Sequence, residues 1–335
     1  MATARGMFRI DPYIIMLLAT VLVATVLPVR GDLVPVMDMI VDGAIALLFF
    51  LYGAKLSTKA VVDGFLHWRL QGLVLLSTFV LFPILGLILI RIFGAWVTPE
   101  LSLGLMFLCL LPSTVQSSIA FTSIAGGNIP AAICAASVSN LLGIVITPAL
   151  VGVMLSSHGA GFDMNAFRDI AMQLLLPFVL GQLCRPFIGK WLTSQKRLTS
   201  IVDRGSILLV VYSAFSAGMV AGVWWQLSWE NFVVIAVFDV VILAVVMVIT
   251  TYGSRKLGFS KADEIVIVFC GSKKSMASGI PMANILFAGQ AVSMIVLPLM
   301  LFHQLQLFVC AALAQRYAQR RELQQLQATA QTKTA

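Results

Sequence analysis

The sequence predicts an all-α, polytopic membrane protein: ten transmembrane helices in two inverted five-helix repeats, with the fourth and ninth helices broken. Three observations predict it. The 335 residues are 60% hydrophobic and only 11% charged, with mean hydropathy +0.99, whereas soluble globules hold about 45–50% apolar residues. Ten windows of about 20 apolar residues, the length that spans a hydrocarbon core, can be drawn along the chain. The two halves of the chain echo each other, and each carries one helix interrupted in its interior.

The windows run Tyr13 to Val29, Val36 to Ala54, Leu70 to Phe93, Leu101 to Ala125, Ile129 to Leu155, Asp169 to Arg185, Arg204 to Trp225, Asn231 to Gly253, Glu264 to Phe287 and Ala291 to Gln315. Arg5 and Arg9 ahead of the first window imitate a secretory leader, but no small-residue cleavage site follows, so it is kept as a transmembrane helix. Gly31-Asp32, Thr98-Pro99-Glu100, Gly126-Gly127-Asn128 and the polar stretches Ser156 to Asp163, Ser194 to Asp203 and Ser254 to Asp263 separate the windows. The expected divisions are a cytoplasmic N-terminus (1–12), a first repeat (13–155), an extracytoplasmic loop (156–168), a second repeat (169–315) and a cytoplasmic tail (316–335), read as a fraying helix end.

Charge placement tests this threading. With both termini inside, the cytoplasmic loops hold Arg5 and Arg9, the cations from Lys55 to Arg69, from Arg185 to Arg204 and from Arg255 to Lys261, and those from Arg316 to Lys333. The far side holds Arg30, Arg91 and Arg168 alone, and Lys273 and Lys274 lie in the membrane. That asymmetry follows the positive-inside rule and accounts for the net charge of +8 without a nucleic-acid partner. The five cysteines form no CxxC pair and no metal-ligand spacing, so buried thiols are expected, with no cofactor.

A shift of 164 residues superposes Arg91, Gly94 and Glu100 on Arg255, Gly258 and Glu264. Each half holds an odd number of spans, so the second half enters from the opposite side, an architecture of secondary transporters. The interruptions are Pro112 to Ser118, a proline followed by hydroxyls and an amide, and Phe269 to Asn284, which carries Gly271, Ser272, Ser275, Ser278, Gly279 and Pro281 around Lys273 and Lys274. A proline removes a backbone donor and frees a carbonyl. An ammonium at bilayer depth costs about 3 kcal/mol on insertion scales, so it faces a bundle interior and finds a partner. A kinked helix packed by small serines is the bland reading of the first interruption.

At about 1.5 Å per residue, Lys273 lies roughly 13 Å from the cytoplasmic edge and Asp239 about 12 Å from the outer end of its helix. Asp239 is therefore expected to neutralise one lysine, either as a structural ion pair or as part of a transport site. Adjacent residues differ by about 100° around a helix, so both lysines share a partner only if the helix is broken there. The expected site for a substrate or coupling ion comprises Ser113, Gln116, Ser117, Ser118, Asn140, Ser272, Lys273, Lys274 and Ser275. Gln71, Gln173, Gln182 and the group His303, Gln304 and Gln306 are expected to make interhelical hydrogen bonds.

At Gly126 to Leu150 (GGNIPAAICAASVSNLLGIVITPAL), at the Pro112 to Ser118 break and at Phe269 to Met282, the chain resembles the bile acid/sodium symporter superfamily, in its SBF-like branch. The resemblance implies that helices four and nine cross, within a core of helices three to five and eight to ten beside a panel of one, two, six and seven. It implies a symporter of a bile-acid-like organic anion in the inner or plasma membrane, coupled to sodium or protons, with homo-oligomers among its expected assemblies. In sodium-coupled members the ninth helix supplies an acid and a glutamine, which align with Ser272 and Met276, and the fifth helix supplies two hydroxyls, which align with Ala132 and Ala136. Sodium coupling is therefore in doubt for this chain, and a lysine ammonium is expected in the ion's place; were sodium to couple, the resemblance places it near Ser117, Ser118 and Asn140, with no other metal expected. The rival readings are an intramembrane Ser/Lys hydrolase using Ser272 or Ser275 and a regulatory membrane protein that transports nothing.

Overall fold

The computed structural model describes residues 12–55, 67–155, 171–222, 225 and 227–334, and these residues form helices and turns with no strand among them. The expectations for the N-terminal cations Arg5 and Arg9, for Lys59, and for the 156–168 loop with Arg168 fall outside the described residues. The helices are α1 (Pro12–Val26), α2 (Leu33–Lys55), α3 (Trp68–Trp96), α4 (Pro99–Leu110), α5 (Gln116–Ala125), α6 (Ile129–Met154), α7 (Leu176–Ser194), α8 (Lys196–Val220), α9 (Trp229–Lys256), α10 (Lys261–Gly271), α11 (Met276–Leu286) and α12 (Val292–Thr334). A π-helical turn at Ser77–Leu81 interrupts α3, and another at Ala171–Leu175 leads into α7. Seven of the described helices are long and apolar enough to cross a membrane.

Local sequence explains the ends. The Thr98 side chain accepts from the Leu101 amide with Pro99 in the first turn of α4. Asn128 caps α6 through the Ala131 amide at 3.1 Å, Ser228 and Asn231 form a capping box on α9, and Ser260 caps α10. Each side chain satisfies an amide left free by the first helical turn. Gly126, at φ +75°, closes α5 in the left-handed region that favours glycine.

Two boundaries differ from the sequence expectation. The polar stretch 194–203 was expected to be a loop, but α7 runs through Pro186 to Ser194 and α8 begins at Lys196. The C-terminal helix does not end at Gln315 but runs to Thr334. Polarity marks where a helix leaves the hydrocarbon, and hydrogen bonding inside the helix lets it continue beyond. The two interruptions lie where the sequence puts them: 111–115 between α4 and α5, and 272–275 between α10 and α11, are outside helical structure.

The chain divides into two compact units, and each draws on both halves of the sequence. The first holds Met1–Lys55, Arg168–Leu227 and Ile280–Ser293; the second holds Leu56–Phe167, Ser228–Gly279 and Met294–Ala335. In the first unit, α2 packs along α7 and α8, and α1 packs on α8. The approach of α2 to α7 is close because a Cβ added at Gly53 would stand 2.0 Å from the Phe178 carbonyl oxygen, and one at Gly181 would stand 2.0 Å from that of Phe50. Small residues bring membrane helices together in this way.

In the second unit, α10 packs against α3, α5, α6 and α9. Leu70, Val74, Ala131, Ala132, Ala135, Ala136, Val266, Ile267 and Cys270 form an apolar core there. In the first turn of α10, Glu264 is clasped by Arg255 at 2.9 and 3.1 Å, by Lys261 at 2.6 Å and by the Tyr317 hydroxyl at 3.0 Å. Tyr317 lies on the part of α12 beyond Gln315, so the start of the tail is packed.

Candidate functional site

The second unit brings the two interruptions together. The Ser275 amide donates to the Pro112 carbonyl at 2.8 Å, joining one broken segment to the other through the backbone. Pro112 itself is met by Gly143 of α6, where a Cβ would come within 2.6 Å of its ring.

A broken helix leaves unpaired carbonyls at the end of its first half and unpaired amides at the start of its second. Here hydroxyls answer the carbonyls at the end of α10. Ser118 donates to Phe269 at 3.2 Å, Ser113 to Cys270 at 2.5 Å and Ser77 to Gly271 at 2.8 Å. Thr147 does the same for Leu110 of α4 at 2.8 Å. The π-helical turn at Ser77–Leu81 brings Ser77 and Thr78 into this region of the unit.

The remaining carbonyls meet an ammonium. Lys274 Nζ donates to the backbone oxygens of Thr78 at 2.8 Å, Cys109 at 2.9 Å and Leu111 at 2.7 Å, and stands 4.1 Å from the centre of the Phe82 ring. An ammonium has three donors, and all three are used. Two of the acceptors belong to the C-terminal end of α4, where the helix dipole favours positive charge. Gln306 of α12 clamps the same residue by its backbone, accepting from the Lys274 amide at 2.9 Å and donating to its carbonyl at 3.0 Å. Gln306 also lies 2.9 Å from His303 Nδ1.

Lys273 points elsewhere, as the break allows. Its Nζ donates to Ser117 Oγ at 3.4 Å and lies 4.2 and 5.5 Å from the centres of the Phe121 and Phe269 rings. Both lysines are fully buried.

Asn140 of α6 ties the breaks to its own helix. It donates to the Ser113 carbonyl at 2.5 Å and to the Ala136 carbonyl at 3.2 Å, and accepts from the Ser278 hydroxyl at 2.7 Å. Ser139 accepts from the Ser113 amide at 3.1 Å. The hydroxyl of Thr114 lies 2.8 Å from that of Ser117 and 2.9 Å from that of Ser118.

Of the residues expected at the site, Ser113, Ser117, Ser118, Asn140, Lys273, Lys274 and Ser275 thus belong to one hydrogen-bonded region. Ser272 turns back on its own helix, donating to Val268 at 2.6 Å. Gln116 is exposed in the first turn of α5 and makes no side-chain hydrogen bond among the described residues. Thr78, Ser139, Thr147, Ser278 and Gln306 were missed. Ser139, Ser278 and Gln306 stand out in the sequence as polar residues at membrane depth without being placed at the site, whereas Thr78 and Thr147 do not, because a lone hydroxyl in an apolar helix carries no signal of its own.

The expected pairing of Asp239 with a lysine is absent. Asp239 is 1% exposed on α9, and neither carboxylate oxygen has a hydrogen-bond partner. Equal depth did not bring the groups together, because the unwound segment lets Lys274 reach backbone carbonyls of α3 and of the α4 end. The Ser/Lys dyad is absent too. Ser272 bonds to Val268 and Ser275 to Ser278, while the two lysines engage carbonyls and Ser117. Ala132 and Ala136 are fully buried in the apolar core.

Residues 11–319 match the family model described as SBF-like CPA transporter family. A protein of Escherichia coli (strain K12) named "Putative symporter YfeH" is 53% identical over 327 residues, covering 96% of this chain and 97% of the relative. An uncharacterized protein of Pseudomonas aeruginosa is 54% identical over 320 residues, covering 95% and 96%. A sodium/bile acid cotransporter 7 of Xenopus tropicalis is 30% identical over 276 residues, covering 81% and 80%.

Proposed function

The chain belongs to the SBF-like CPA transporter family, and from that premise we propose that it is a secondary active transporter, symporter-like, in which lysine ammoniums hold cation positions where two broken helices meet. The observation that carries this reading is the coordination of Lys274 Nζ by three backbone oxygens at 2.7–2.9 Å. Unwound backbone carbonyls and half-helix C-terminal ends are what transporters offer to a monovalent cation. Here a tethered ammonium fills such a cage. The burial of Ala132 and Ala136 in the apolar core, at positions where sodium-coupled members carry hydroxyls, supports the same reading.

Joining α4 to α5 and α10 to α11 across their breaks makes ten segments, which supports two inverted five-helix repeats in a multi-pass protein of the inner or plasma membrane with both termini cytoplasmic. The name carried by the animal relatives suggests an amphipathic organic anion as solute. Neither lysine side chain is free to receive one, since both are fully buried and Lys274 has no unused donor.

The test is uptake into proteoliposomes under an imposed sodium or proton gradient, for the native chain and for Lys273→Ala and Lys274→Ala, over a panel that includes a labelled bile acid. Uptake that proceeds without sodium and is lost in Lys274→Ala is the expected result. Uptake by the native chain that requires sodium overturns the substitution of ammonium for ion.

A further inference from the structure

The first unit contains a cavity of about 600 Å³, lined by segments of α2, α8 and the 284–293 stretch and by Gln173. That volume lies within the range of small-molecule sites, about 300–1,000 Å³. Its polar lining includes Asp38, Asp42, Gln173, Ser213, Gln290 and Ser293, and it contains no lysine, arginine or histidine.

Asp38 and Asp42 stand four residues apart on α2, so they share one face of the helix with Cβ atoms about 5–6 Å apart. Neither carboxylate makes an ion pair or a hydrogen bond among the described residues. Asp42 lies nine residues into a helix whose 23 residues are long and apolar enough to span, roughly 13 Å from its start. An ionisable group at such depth, facing a cavity and unpaired, marks a solute or ion pathway.

A second observation is independent of the acids. Ser293 is 1% exposed, lines the same cavity, and its hydroxyl has no hydrogen-bond partner. The Gln173 Oε1 atom is likewise buried, unpartnered and part of the lining. Buried polar groups are nearly always satisfied, so unfilled hydrogen-bonding capacity converging on one hollow indicates what the hollow receives.

We propose that this cavity binds a small organic cation, its ammonium or guanidinium group between Asp38 and Asp42 and its hydrogen-bonding groups on Ser293 and Gln173. The inference rests on the carrier reading for its role in transport, but not for binding itself. A carboxylate-bearing solute would meet two like charges and no cation. A bare metal ion is a poor occupant, because no group of three or more metal-ligating side chains exists among the described residues and the hollow is far larger than a coordination sphere.

The probe is labelled putrescine, a diamine able to meet two carboxylates one helical turn apart, binding to the full chain in nanodiscs. Saturable binding that falls at least tenfold in Asp42→Asn and in Asp38→Asn, falls by a smaller factor in Ser293→Ala, and is not displaced by cholate is the expected result. Should either Asp variant misfold, Ala217→Trp, which narrows the cavity from α8, is expected to abolish binding instead. Absence of putrescine binding, binding indifferent to both Asp variants, or displacement by cholate overturns the proposal. Uptake of an anion with no putrescine binding leaves the carrier reading standing and removes this one. Putrescine binding with no solute uptake under any gradient removes the carrier reading and leaves the site.

Discussion

Two regions of the molecule hold charge at membrane depth, and they treat it in opposite ways. In the second unit, Lys274 has an acceptor for each of its protons, and the hydroxyls of Ser77, Ser113 and Ser118 are spent on the last carbonyls of α10. In the first unit, Asp38, Asp42 and Ser293 line a hollow, and their side chains have no hydrogen-bond or ion-pair partner among the described residues. A polar group whose partners are all within its own unit is part of the framework, and one left unpaired beside space is available to a ligand. Depth and charge alone therefore do not separate machinery from receptor. The count of partners does.

The largest effect that breaks this contrast is expected at Lys274. Lys274→Ala strips the ammonium from three buried carbonyls, and each acceptor left unsatisfied costs about 1–3 kcal/mol. Thermal unfolding in detergent should show the loss. Sodium, and not choline, is expected to restore part of it by entering the vacated cage. A variant as stable as the native chain would show that the carbonyls were never dependent on the charge.

Asn140→Ala comes next. It removes the donor to Ser113 and the acceptor for Ser278, leaving buried groups unpaired at about 1–3 kcal/mol, measured in the same melts. Lys273→Ala is expected to cost less than Lys274→Ala, because one long hydrogen bond and two ring faces hold its ammonium, and a desolvated cation–π contact contributes about 2 kcal/mol. Equal losses at the two lysines would mean that backbone coordination adds nothing special. Asp42→Asn sharpens the contrast from the other side. Its side chain is exposed to the cavity, so stability should change by no more than about 0.5 kcal/mol while cation binding falls at least tenfold.

Much of this was legible in the sequence, and the failures have physical causes. Pro112 and the Gly271–Ser275 stretch announced both breaks, since a proline and clustered small residues cannot sustain a helix through them. The partners of Lys274 could not be read, because backbone carbonyls are present at every position and only the fold selects three. Asp38 and Asp42 were not read as a site because a window count absorbs two acids into a mostly apolar span, although their spacing of four put them on one face. The repeated triplet was over-read in detail. Arg255 grips Glu264, and Gly258 turns with φ +74°, whereas Arg91 makes no ion pair with Glu100 and Gly94 sits in helical turn at φ −63°.

Asp239 is the residue on which the contrast is most exposed, since it is buried and unpartnered in the second unit. It lines neither of the two described hollows of the molecule. Its lack of a partner is a cost to the fold, and replacing an unpaired buried carboxylic group by its neutral isostere removes no ion pair. Asp239→Asn is accordingly expected to leave stability unchanged or to raise it slightly, the smallest change of the series. A loss above about 1 kcal/mol, the typical net contribution of a hydrogen bond, would show that Asp239 does find a donor in the membrane. A stable variant that nonetheless lost transport would make its carboxyl a working group, and partner count would then have to be judged in more than one conformation of the carrier.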